Sequence, residues 1–74
     1  MNFQENKDFL FEKLKSSTTY KKDIALKRII EILEQIQTIS ELNKNKDLIN
    51  RMAIDSVEDW NNINHIAEFV NYKY

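Results

Sequence analysis

Asp23 to Leu42 reads DIALKRIIEILEQIQTISEL, and how these residues are read decides the fold. Ala25, Ile29, Ile32, Ile36 and Ile39 recur at alternating steps of four and three, the spacing that keeps one apolar seam of a helix facing a partner. No residue in the stretch is a strong helix breaker. The whole chain of 74 residues contains no glycine and no proline. Hairpins, bulges and phosphate loops depend on positive φ or fixed turns, which those two residues supply. The sequence therefore predicts an all-α protein.

Working outward, the seam predicts a helix from Tyr20 to Leu42, with Thr19 as N-cap and Asp23 in its first turn. At ~1.5 Å per residue it would be roughly 35 Å long. On its N-terminal side, Ser16, Ser17, Thr18 and Thr19 break the pattern, because their side chains compete for backbone hydrogen bonds. Before them a helix is expected from Phe3 to Lys15. Asn2 and Glu5 form its capping pair, and Lys13 and Lys15 suit the negative end of its dipole.

On the C-terminal side, Asn43, Lys44, Asn45 and Lys46 are expected to turn the chain, since Asn tolerates the left-handed conformation of a helix exit. A third helix is expected from Lys46 to Tyr72. Ile49, Ala53, Ser56, Trp60, Ile63, Ala67, Val70 and Tyr74 continue the four-three seam, which favours one helix over a break at Asp55 and Ser56, where Asp55 and Glu58 could form a second capping box. The expected architecture is a short N-terminal helix packed on a long antiparallel helical hairpin. That is a three-helix bundle forming a single domain over residues 1–74.

So short a chain buries only about 60% of its unfolded surface. With no cysteine, neither a disulfide nor a thiolate zinc site can staple it, and oligomerisation is the remaining common device. The apolar positions of the second helix span an arc of about 240°, more than one partner helix covers. Either the helix is enclosed from two sides within one copy, or Leu26, Ile30 and Leu33 form a self-association face that turns two hairpins into a larger helical bundle. The expectation is a homodimer.

His65, Phe69 and Tyr72 stand at i, i+4 and i+7 on the third helix and form a candidate partner-binding stripe. The alternative is that the first helix packs there, with Phe9 and Phe11 opposite. His65 is the only histidine, and with Glu68 it offers just two possible metal ligands on one helical face. Ser16, Ser17, Ser40 and Ser56 have no histidine base at a suggestive spacing, and Asp55, Glu58 and Asp59 read as helix-start residues. No cofactor and no enzymatic chemistry are expected.

The formal net charge is −1, and 31% of residues are charged, with both signs interspersed. Polyanions and acidic membranes are thus not obvious partners. No apolar run approaches the ~18 residues of a membrane span, and Glu5 and Asp8 stand where a signal peptide would be basic and then apolar, so a cytoplasmic location is expected. The function expected is a small non-enzymatic helical protein-interaction module, a regulator, adaptor or inhibitor working through an exposed helical face. The alternative is a dimeric nucleic-acid-binding regulator using a basic turn around Lys44, Lys46 and Arg51.

Overall fold

The computed structural model describes all 74 residues, Met1–Tyr74, and every regular element is helical. Four helices are present where three were expected: α1 (Phe3–Lys15), α2 (Ile24–Gln35), α3 (Ile39–Ser56) and α4 (Trp60–Val70). They close a ring in chain order, α1 against α2, α2 against α3, α3 against α4, and α4 back on α1. The body measures 30 × 21 × 19 Å.

Helix α1 follows its capping chemistry. The Asn2 side chain accepts from the Glu5 amide at 2.8 Å, and the Glu5 carboxylate accepts from the Asn2 amide at 3.1 Å. The expected long second helix is two helices, and the expected turn at 43–46 lies inside α3. Thr38 makes the break. Its hydroxyl accepts from the Glu41 amide, as an N-cap should, and donates to the Glu41 carboxylate, both at 3.1 Å. Asn45, expected in that turn, instead donates to the Glu41 carbonyl one helical turn back, at 2.8 Å.

The third expected helix also divides, close to the alternative break but capped differently. Asp59, not Asp55, is the N-cap of α4 and accepts from the Asn61 amide at 2.9 Å. Both interhelical breaks are built alike. A buried β-branched residue, Ile36 or Val57, leaves the helix in extended conformation, one residue follows, and then a cap, Thr38 or Asp59, opens the next helix. Extended backbone suits a β-branched side chain, and burying that side chain holds the bend. No residue in the chain has positive φ, so a sequence without glycine makes its turns without left-handed positions.

Shortening the helices changes which face is inside. On α2, Leu26, Ile29, Ile30 and Leu33 form the core stripe, at the i, i+3, i+4, i+7 spacing of an amphipathic helix. Ala25 and Ile32 of the expected seam are only half-buried, and Ile39 is exposed. Trp60, expected in the seam of the third helix, is 67% exposed. The four-three pattern had been phased through Ile36–Thr38 and Val57–Asp59, where the backbone is not helical.

Polar groups enclosed with the core fix the ring. Lys7 of α1 is buried and donates to the Ile36 carbonyl at 2.8 Å, placing a cation at the C-terminal end of α2. Asp23 caps the other end by accepting from the Leu26 amide at 3.0 Å. Asn62 of α4 donates to the Ser17 hydroxyl at 2.8 Å, which ties the α1–α2 connection to α4.

Candidate functional site

Leu26, Ile30 and Leu33, read from the sequence as a face for a second copy, are 0%, 3% and 0% exposed. They lie in the interior of one copy, so these three side chains present no surface to another. The ring encloses this part of the apolar arc and leaves Ile24 exposed and Ala25 and Ile32 half-buried.

Lys44, Lys46 and Arg51 do not surround a turn. All three lie within α3, where Lys44 and Arg51 are solvent-exposed and Lys46 is half-buried. At about 100° per residue, Lys44 and Arg51 share one side of the helix and Lys46 faces the other way. Asp47 and Asp55 are interleaved on the outer side. Lys44, Lys46 and Arg51 therefore do not form a single basic turn.

His65, Phe69 and Tyr72 reach the boundary between α1 and α4, but in three different settings. Phe69 is only 5% exposed and packs against Phe3 of α1, with ring centroids 5.7 Å apart. The helix that covers it is the expected one, but Phe3 makes the stacking contact rather than Phe9 or Phe11. Tyr72 lies beyond the end of α4 and is 53% exposed. His65 is half-buried, and its Nδ1 is enclosed without a hydrogen-bond partner.

His65, Phe69 and Tyr72 line a groove of about 190 Å³ with Phe9 and Lys13 of α1 on the opposite wall. Phe9 is 44% exposed, and the Lys13 ammonium sits 4.2 Å from its ring centroid, a cation–π contact that holds the ring at the rim. The floor is supported from behind by Phe3 and Tyr74, whose rings meet edge to face at 5.4 Å. Tyr74 also donates from its hydroxyl to the Phe69 carbonyl at 3.0 Å, fastening the C-terminal end of the chain over α4. Burial raises the Tyr74 pKa above the ordinary tyrosine value. A hydrogen bond with the Asn6 side chain works against that shift, and the neighbouring Tyr72 hydroxyl adds to it.

No family model, no curated protein and no solved structure matches this chain. The groove must therefore be interpreted from its own chemistry. It combines exposed aromatic area, a half-buried imidazole ring, and charges of both signs, Lys13 and Glu68, at its edges. Such a surface can grip an apolar side chain and give one directional hydrogen bond.

Several of the other polar side chains are engaged in local structure. Ser16 donates to the Glu12 carbonyl at 2.7 Å, and Asp23 spends both carboxylate oxygens on backbone amides, those of Leu26 and Glu58. No three His, Cys, Asp or Glu side chains are arranged to hold a metal ion. No helix is long and apolar enough to cross a membrane. Sequence reasoning placed the groove's α4 wall and missed Phe3, Lys13 and Tyr74. A spacing argument within one helix carries no signal for side chains supplied by another helix, as Phe3 and Lys13 are, or from beyond its end, as Tyr74 is.

Proposed function

We propose that this chain is a small non-enzymatic protein-interaction module that presents the α1–α4 groove to a protein partner. The observation that carries the reading is the meeting, in one groove, of exposed Phe9 and Tyr72 with the half-buried ring of His65. Exposed aromatics on a small domain lose contact with water when a partner covers them, and aromatic anchors dominate binding energy at such interfaces. The partner expected is a folded or helical protein segment that inserts an apolar side chain between Phe9 and Tyr72 and offers a polar group to His65.

Site-specific photo-crosslinking in the native host tests this. A photoreactive residue at Phe9 or Tyr72 should give one discrete protein adduct, and the same residue at Asp47 on the outer side of α3 should not. The adduct should be lost on His65→Ala. Equal adducts at Asp47, or adducts to nucleic acid alone, would overturn the reading.

A further inference from the structure

The outward side of α2 carries a second four-three series that the core does not use: Ile24, Arg28, Glu31 and Gln35, all exposed. It lies opposite the Leu26, Ile29, Ile30, Leu33 stripe, so it is the part of the helix farthest from the interior. Ile24 is 70% exposed. Ile24, Arg28 and Glu31 share one shallow depression with Ile32 and the half-buried Met52 of α3, so the series faces an apolar floor on one side.

The order of the four residues inverts its charge signs on reversal: an uncharged residue, a cation, an anion and an uncharged residue. A helix of that pattern cannot satisfy itself when laid parallel to a copy in register, because Arg28 would meet Arg28. Laid antiparallel about a two-fold axis between Arg28 and Glu31, it pairs Arg28 with the partner's Glu31 and Glu31 with the partner's Arg28. The same operation sets Ile24 against the aliphatic part of the partner's Gln35 and close to the partner's Ile32. Every position of the series therefore meets a suitable one, and the interface is isologous as two-fold symmetry demands.

We infer that the outer face of α2, built on Ile24, Arg28, Glu31 and Gln35, docks α2 of a second copy of this chain in antiparallel register. The apolar contacts of Ile24, Ile32 and Met52 supply attraction. The crossed charge pairs set direction and exclude the parallel arrangement. The inference does not rest on the α1–α4 groove, which lies between other elements and stays open in such a dimer.

Sedimentation equilibrium on charge-reversal variants tests it, with circular dichroism confirming that each remains helical. Wild type should dimerise. Arg28→Glu alone and Glu31→Arg alone should each weaken self-association by at least about tenfold, because two attractive pairs become repulsive. An equimolar mixture of the two single variants should recover a heterodimer, and the double variant Arg28→Glu with Glu31→Arg should recover the homodimer. Phe9→Ala and Tyr72→Ala should leave the equilibrium unchanged. A monomeric wild type across the full concentration range would overturn the inference. So would a dimer indifferent to both single reversals, or weakened single variants that the mixture fails to restore.

Discussion

Asp23 reaches across the ring to Glu58: one carboxylate oxygen accepts the Glu58 backbone amide at 2.9 Å, while the other caps α2 through the Leu26 amide. One buried side chain thus fixes where α2 begins and where the α3–α4 bend lies, although 35 positions separate the two residues. This contact holds the bend that the sequence pattern had concealed.

Removing Asp23 should therefore cost more than an ordinary cap. Losing an N-cap costs about 1 kcal/mol, and losing the part-buried hydrogen bond from the Glu58 amide to a charged acceptor costs about 1.5–3 kcal/mol. Asp23→Ala is expected to lose roughly 2–4 kcal/mol in urea unfolding. Asp23→Asn, which keeps one acceptor oxygen, should lose clearly less. A loss for Asp23→Ala no greater than that of an ordinary cap, about 1 kcal/mol, would mean that the Glu58 contact contributes nothing.

Trp60 gives the opposite prediction. A tryptophan in a buried seam would cost about 3–5 kcal/mol when cut to alanine, whereas Trp60 stands in solvent as the first residue of α4. Trp60→Ala should change stability by no more than about 0.5 kcal/mol. Leu33→Ala in the core should cost about 2–5 kcal/mol. The fluorescence of Trp60 should also shift little on unfolding, since the ring is already wet.

How much was legible depended on whether local and periodic signals agreed. At α1 they did: the Asn2–Glu5 box and the Ser16–Thr19 break bound the apolar pattern at both ends, and the helix runs between them. At Thr38 they conflicted. The Thr-x-x-Glu signature was present, but the isoleucine spacing ran through it, and a helical period cannot distinguish a continuous helix from two helices whose junction buries a β-branched residue. The same conflict hid the start of α4 at Asp59. For the groove, the helical spacing of His65 and Phe69 put both on the α1 side of α4. That Phe69 would be covered and Tyr72 left open depended on Phe3 and Tyr74, brought there by tertiary packing.

Glycine substitutions locate the helix boundaries directly. Lys44 is exposed and lies in the middle of α3, so Lys44→Gly should cost about 0.5–1 kcal/mol. Gln37, also exposed, lies in the extended junction between α2 and α3, and Gln37→Gly should cost well under half of that. The comparison is made on urea midpoints at constant m-value. The reverse order would restore the long helix and the turn at 43–46.

Tyr74 predicts a signature at alkaline pH. Its pKa is raised in the folded chain, first by burial, so the folded state holds the phenolic proton more tightly than the unfolded state. A raised pKa contributes stability that is fully present below the unfolded value, near 10.0, and is lost as pH rises through the folded value. The native hydroxyl donates to the Phe69 carbonyl, and a phenolate would set two oxygen acceptors against each other. Stability should therefore fall above the ordinary tyrosine range more steeply in wild type than in Tyr74→Phe. The phenylalanine variant keeps the ring against Phe3 and Phe69 and has no proton to lose. Parallel stability curves for the two proteins above that pH would show that Tyr74 titrates as it does in water, and that the C-terminal residues do not close over α4.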